Sequence, residues 1–97
     1  MTTLRSMFTA AAAADLTFSI GVSGDGDVDY HGSSINKAME ALDACDDCNV
    51  TFYGERAGKR FRVGSIWFVR NEDSVSDIGN VCDAGGWPND WMDENCD

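Results

Sequence analysis

Carboxylate side chains at regular spacing are the residues of this sequence best suited to a chemical or binding role. Three groups stand out: one in alternation, one at intervals of three and four residues, and one shortly after residue 70. They are Asp25, Asp27 and Asp29; Glu40, Asp43 and Asp47; and Glu72, Asp73 and Asp77. Alternate residues of a strand share a face at about 6.6 Å, and helix residues three or four positions apart lie about 5–6 Å apart. Because successive phosphates of a nucleic-acid strand have a similar spacing, these groups predict a surface that imitates phosphates.

A surface of this kind would bind a groove in which lysine and arginine side chains follow phosphates. The sequence therefore predicts a partner with a basic DNA-binding surface. Two plainer interpretations stay open. Carboxylates on a helix face are commonly just solvated surface, and thirteen Asp and four Glu against two Lys would also suit a protein adapted to high salt.

The charge is strongly partitioned along the chain. The formal net charge is −10 and the pI about 4.2, whereas a small soluble domain usually carries a net charge of roughly 2 to 8 in magnitude. Residues 1–55 contain nine acids and two bases, and residues 71–97 contain eight acids and no base. The segment 56–70 contains no acid and five bases, Arg56, Lys59, Arg60, Arg62 and Arg70. We expect these bases to neutralise the protein's own acids or to meet an acidic patch on the partner, because the overall charge disfavours direct nucleic-acid binding.

The four cysteines are Cys45, Cys48, Cys82 and Cys96. The first two have the two-residue gap of a zinc site, but the remaining gaps match no familiar zinc-site spacing. An even number permits disulfides, although a cytosolic setting argues against them. We therefore predict buried structural cysteines, no metal and no cofactor.

Other chemistry is weakly supported. The alternating aspartates imitate the start of a calcium loop, but the pattern then fails at Tyr30 and Asn36, where Gly and Glu are required. His31 is the only histidine, and the sequence contains no nucleophile signature and no phosphate-binding glycine loop. The sequence therefore predicts a protein that is not an enzyme and has no small-molecule substrate.

The elements that must position these residues follow from apolar spacing. We predict a helix over 3–14, a strand over 17–22, a short strand over 28–31 and a second helix that begins after Ser33 or Ser34. Strands follow over 49–53 and, beyond a turn at Ala57 and Gly58, to about residue 69, with a bulge at Gly64. A third helix is predicted from Ser74 to the Gly85-Gly86 pair.

Taken together these elements predict an α+β fold, a small antiparallel sheet of about four strands with two to three helices packed on it. Residues 1–97 would form a single acidic domain, with residues 87–97 as an acidic aromatic tail, loosely attached. Residues 5–14 faintly resemble a secretory signal, but the apolar stripe of a helix is the better interpretation. No apolar run approaches the roughly 20 residues of a membrane span.

The chain resembles the small acidic proteins that phages and prophages carry against host defence, and among them the anti-CRISPR proteins that act on type I-F systems. The resemblance lies in the length under 100 residues, the α+β pattern, the acidic groups, and the strand 65–70 that leads into Asn71-Glu72-Asp73 and Asp77-Ile78. No shared binding motif accompanies it.

The resemblance implies an inhibitor that imitates double-stranded DNA and blocks target DNA binding by an RNA-guided, Cascade-type surveillance complex in the cytoplasm of the bacterial host. Two alternatives remain. One is a DNA-mimic inhibitor of another DNA-binding defence or repair enzyme, and the other is a small metal-binding protein that uses the cysteines.

Overall fold

A computed structural model describes residues 2–22, 28–70 and 74–95 of the chain. The elements are α1 (Leu4–Ala13), β1 (Thr17–Val22), β2 (Tyr30–Gly32), α2 (Ile35–Asp43), β3 (Asp47–Arg56), β4 (Lys59–Val69), β5 (Val81–Gly86) and α3 (Trp87–Asn95), with a 3₁₀ turn over Ile78–Asn80. The strands form one antiparallel sheet in the order β2-β1-β3-β4-β5. The predicted α+β class is confirmed, with five strands rather than about four.

The core lies between the helices and one face of the sheet. Alternate strand residues point to this face, and they are fully or almost fully buried: Phe18, Ile20, Val50, Phe52, Ile66 and Phe68. Helix α1 buries the predicted stripe, Leu4, Met7, Phe8 and Ala11, and α2 buries Ala38, Met39 and Leu42. The Phe8 ring centroid lies 4.7 Å from that of Phe18 and 5.8 Å from that of Phe52. Phe8 thus fixes α1 across the two central strands β1 and β3.

Both N-terminal helices begin at a hydroxyl residue, as predicted for the second of them. Thr3 and Ser6 form a reciprocal capping box at the start of α1, and Ser34 accepts a hydrogen bond from the Lys37 amide at the start of α2. Each hydroxyl satisfies an amide that has no partner within the helix. These caps therefore fix where the two helices enter the core.

The predicted bulge is present in β4. Phe52 pairs with Gly64 but Tyr53 pairs with Arg62, so β4 contains one additional residue between these two pairs. Gly64 is buried and pairs on its other side with Gly86, which has a φ of 72°. A Cβ atom at either glycine would overlap backbone of the other strand. The two glycines therefore allow β4 and β5 to approach closely where α3 begins.

Replacing Gly86 by alanine should lower the free energy of unfolding by about 1–3 kcal/mol, because a side chain adds both overlap and backbone strain. A Cβ at Gly86 would overlap the Val63 carbonyl oxygen, whereas a Cβ at Gly85 would meet nothing within 4 Å. Gly85→Ala is therefore the matched control, and we expect it to be near neutral. Urea unfolding of both variants checks this, and equal losses would contradict the geometry.

The predicted third helix is wrong. Residues 74–77 form a turn, and Val81 belongs to strand β5. The Asp77 carboxylate accepts a hydrogen bond from the Gly79 amide, and the buried Asn80 side chain donates to the carbonyl oxygens of Ser74 and Val75. Such side-chain bonds to nearby backbone compete with a helix, and the segment after them gains a full strand pairing with β4.

The segment predicted as a tail forms helix α3 up to Asn95. Pro88 is buried in its first turn, where proline is tolerated. The Trp87 ring lies 5.6 Å from that of Phe52 and 6.5 Å from that of Trp91, centroid to centroid. At the far end the Thr2 hydroxyl donates to the Asn95 carbonyl oxygen, 2.6 Å away. Of the helices in the described residues, none has both the length and the apolar character needed to cross a membrane.

Candidate partner-binding surface

Five of the nine predicted site residues fall within the described part of the chain. Asp25, Asp27, Glu72 and Asp73 lie outside the described residues. The others occupy four different settings: Asp29 before β2, Glu40 and Asp43 on α2, Asp47 at the start of β3, and Asp77 beside the 3₁₀ turn. The structure therefore separates residues that the sequence grouped together, and each setting must be considered in turn.

The predicted helical stripe of Glu40, Asp43 and Asp47 is wrong in its last member. Helix α2 ends at Asp43, and Asp47 is the first residue of β3. The Asp47 carboxylate there accepts a hydrogen bond of 2.6 Å from the Trp67 indole nitrogen. Periodicity could not locate this helix end, because the intervening residues continue the same spacing.

Asp43 already has a counter-charge. Its carboxylate lies 2.9 Å from the Arg70 guanidinium, which also donates to the Asp43 carbonyl oxygen. The Arg70 amide in turn donates to the Asp46 carbonyl oxygen. Arg70 thus ties the end of β4 to the end of α2, and Asp43 takes part in this contact.

Asp77 also has a local structural role. Its carboxylate caps the 3₁₀ turn at the Gly79 amide, 3.0 Å away, and the residue forms an isolated bridge with Thr3. The residue is only half-exposed. Its bonds hold the 74–80 segment against the start of α1.

Asp29 and Glu40 are brought together by the fold. The Asp29 amide donates to the Ile20 carbonyl oxygen, so the residue lies beside β1, against which α2 also packs. Both side chains are exposed and line one open groove together with Lys37 and Tyr30. The sequence placed them in two separate groups, because only the pairing of β1 with β2 and the packing of α2 reveal that they share a surface. We call Asp29 and Glu40 the acidic groove pair.

Exposed acids occur on both sides of the sheet: one group lies on or near the helices, and Asp47, Glu55 and Asp83 lie on the opposite face. The first group occurs on or just after the helices that cover one face of the sheet: Asp15, Glu40, Asp43, Asp90, Asp93 and Glu94. Arg60 and Arg62 lie on the other face, since they pair with Glu55 and Tyr53, which alternate with the buried Phe52. Within residues 2–22, 28–70 and 74–95, the pair Arg70–Asp43 is the only salt bridge. The bases of segment 56–62 are therefore not neutralised by the acids that the structure describes.

Three of the four cysteines differ from the prediction of buried structural cysteines without disulfides: Cys45 and Cys48 in their pairing, and Cys82 in its exposure. Cys45 and Cys48 are buried as expected, but they are joined in a disulfide with their Cα atoms 6.5 Å apart, so the expectation against disulfides is wrong for this pair. Cys82 is a free, exposed thiol on β5, and Cys96 lies outside the described residues. No group of three or more potential metal-ligating side chains occurs in the described part of the chain. In the disulfide form, Cys45 and Cys48 offer no thiolate to a metal.

Similarity to known proteins does not identify this surface. No family model, no curated protein and no solved structure matches the chain. The function must therefore be inferred from the residues and their placement.

Proposed function

We propose that the protein inhibits the RNA-guided surveillance complex of a type I-F CRISPR system by imitating double-stranded DNA. In this proposal the surface around the acidic groove pair occupies the basic surface that binds target DNA, in the cytoplasm of the host bacterium. The observation that carries the proposal is the acidic groove pair. Asp29 and Glu40 are exposed and converge on one groove, in a chain of net charge −10.

Charge and rigidity together supply the mechanism. A surface that binds DNA must be rich in lysine and arginine, because these side chains neutralise phosphates. Carboxylates held on a folded helix and just before a strand can pair with the same bases without being unwound or cut. The net charge would also accelerate the encounter with a basic cleft. Inhibition is then stoichiometric and steric, and it needs no covalent step.

The proposal does not depend on the disulfide. A reducing cytoplasm keeps most thiols reduced, and opening the Cys45–Cys48 bond would leave two buried thiols. Neither sulfur belongs to the acidic groove pair. The carboxylates of the acidic groove pair would therefore be unchanged in either redox state of the cysteines.

The direct test is competition for duplex DNA. A purified type I-F surveillance complex is incubated with the protein and then with labelled target duplex, and the bound DNA is measured by a mobility shift. We expect DNA binding to fall in proportion to the protein added, and the inhibition to weaken as salt rises. Full DNA binding at saturating protein would refute the proposal. Inhibition of an unrelated DNA-binding defence or repair enzyme in place of this complex would favour the alternative target class.

Removing the charges of the acidic groove pair should weaken inhibition by about tenfold, which corresponds to a loss of about 1.4 kcal/mol in binding free energy. The variant Asp29→Asn/Glu40→Gln removes two charges at nearly constant size. The matched control, Asp93→Asn/Glu94→Gln, removes two exposed charges from α3. The half-maximal inhibitory concentration of each variant is compared with that of the wild type. Equal losses in both would indicate a general effect of net charge, and would contradict a role for this particular pair.

A further inference from the structure

The sheet face opposite the helices is open in the described part of the chain. All three helices pack on the side of Phe52, while Tyr53 and its partner Arg62 point the other way. Arg60, two positions earlier on β4, shares that face. Next to them lies His31 of β2, which pairs with Ser19 of β1. We call His31, Tyr53, Arg60 and Arg62 the arginine face.

Neutral groups hold Arg60 in place. Its guanidinium carbon lies 4.4 Å from the centroid of the Tyr53 ring, in a cation–π contact. Its Nη1 lies 3.0 Å from Nε2 of His31, whose Nδ1 contacts the Ser19 hydroxyl. Because a guanidinium can only donate, Nε2 must accept, and Nδ1 carries the proton towards Ser19. The imidazole is therefore neutral in this arrangement, and the charge of Arg60 is positioned but not offset.

Arg62 is held in the same manner. Its Nη2 donates a hydrogen bond of 2.7 Å to the Ser65 hydroxyl, a neutral partner on the same strand. Glu55 lies directly opposite Arg60 across the hairpin, yet no salt bridge joins them. Most N–H donors of the two guanidiniums thus remain available to a ligand, and no salt bridge with a described residue reduces their positive charge. Such oriented, uncompensated arginines are suited to bind carboxylates in a bidentate fashion.

We propose that the arginine face binds an extended acidic segment of a partner protein, with carboxylates at alternate positions. Arg60 and Arg62 lie two positions apart on one strand face, at about 6.6 Å, which is also the spacing of alternate side chains in an extended peptide. The face is distinct from the acidic groove pair, and the inference does not rest on the proposed function.

Nucleic acid is the less suitable occupant. A nucleic-acid strand would carry its charge well beyond the two arginines, along a sheet face that continues to Trp67. There Asp83 pairs with Trp67, and Asp47 accepts the indole hydrogen bond. These two carboxylates would repel phosphates, and the net charge of −10 opposes a long polyanion further. A short acidic peptide that covers only the two arginines avoids Asp47 and Asp83, and its acidic neighbour there is Glu55.

The test is a titration followed by amide shifts in NMR spectra, which detect weak binding. The probe is a capped peptide of alternating Thr and Asp with three Asp residues, and its partner probe has Asn at those positions. We expect the Asp peptide to shift the β3–β4 hairpin amides at low salt, and the Asn peptide to bind at least tenfold more weakly. No shifts, or equal binding of both peptides, would overturn the proposal.

Matched variants locate the site. Arg60→Gln/Arg62→Gln should weaken peptide binding at least tenfold, whereas Arg5→Gln/Lys37→Gln removes two charges elsewhere and should leave it within about twofold. Unchanged chemical shifts of the core amides verify that each variant is folded. Undiminished binding by the first variant would overturn the proposal. So would saturable binding of a single-stranded oligonucleotide to this face in the absence of peptide binding.

Discussion

Replacing Phe52 by alanine should lower the free energy of unfolding by about 3–5 kcal/mol, the range for a large aromatic residue removed from a core. Phe52 is fully buried, and its ring lies 5.8 Å from that of Phe8, 6.1 Å from that of Phe18 and 5.6 Å from that of Trp87. One side chain therefore links α1, β1 and α3. Because domains of this size are stable by about 5–15 kcal/mol, the variant should be close to the limit of folding.

Urea unfolding followed by tryptophan fluorescence measures this loss. Phe61→Ala provides the matched control, because Phe61 lies on β4 but is 45% exposed. Its ring covers Gly54 without entering the main core cluster, so we expect a loss of about 1 kcal/mol or less. Similar losses for the two variants would show that Phe52 is not the centre of the core.

Replacing Asn80 by aspartate should lower the free energy of unfolding by about 3–5 kcal/mol at pH 7, because it buries a charge that faces two carbonyl oxygens in place of two hydrogen bonds. Asn80 is fully buried, and its side-chain nitrogen donates to the carbonyl oxygens of Ser74 and Val75 at 3.0 and 3.2 Å. A carboxylate cannot donate these bonds, and it would face two oxygens. The variant keeps the size of the residue and reverses its hydrogen-bonding character.

The pH dependence of the stability of Asn80→Asp shows whether the buried charge causes the destabilisation. Burial raises the pKa of a carboxyl group above its unfolded value of about 3.9. The folded variant then binds a proton that the unfolded chain has released, so the variant loses stability as the pH rises from about 4 through the folded pKa. Relative to the wild type, Asn80→Asp should be markedly less destabilised at pH 4 than at pH 7.

Chemical denaturation of the variant and the wild type at both pH values measures this difference. Asn49→Asp is the control, because Asn49 is an exposed residue of β3. We expect it to cost less than about 0.5 kcal/mol at either pH. If Asn80→Asp loses the same stability at both pH values, the missing hydrogen bonds and not the buried charge cause most of the destabilisation.

Local periodicity predicted the parts of the fold that depend on neighbours in the chain. The stripe that starts at Leu4 and the alternation around Phe18 and Phe52 specify which side of each element is buried, and the structure buries those residues. The change of phase at Gly64 also located the bulge in β4. These predictions hold because burial of apolar surface follows helix and strand geometry directly.

The region from Ser74 to Asn95 required information that periodicity does not contain. The apolar residues Val75, Ile78 and Val81 have helical spacing, but side-chain bonds of Asp77 and Asn80 select a turn instead. The glycine pair before Trp87 suggested a helix end, whereas both glycines belong to β5 and Gly86 permits its close approach to β4. Local side-chain bonds thus determine the turn, and pairing with the distant strand β4 determines the strand that follows it.

The candidate surfaces were only partly predictable for the same reason. The sequence identified Asp29 and Glu40 as exposed acids, but not that they border one groove. It marked Arg60 and Arg62 as a basic segment, but the contacts of Arg60 with Tyr53 and His31 depend on strand register. A shift of register by one residue would have placed these side chains on the opposite face.

The order of strands in the sheet also has a consequence for how fast the protein folds. Three of its four strand pairs, β1–β2, β3–β4 and β4–β5, join strands that follow one another along the chain. The pair β1–β3 instead joins strands separated by β2 and α2, with Thr17 opposite Tyr53. Because a longer loop costs more entropy to close, we expect this pairing to be the slow step of folding. Contacts within the N-terminal hairpin and within the three-stranded meander would then already exist in the transition state, so changes confined to either unit should affect mainly the rate of folding.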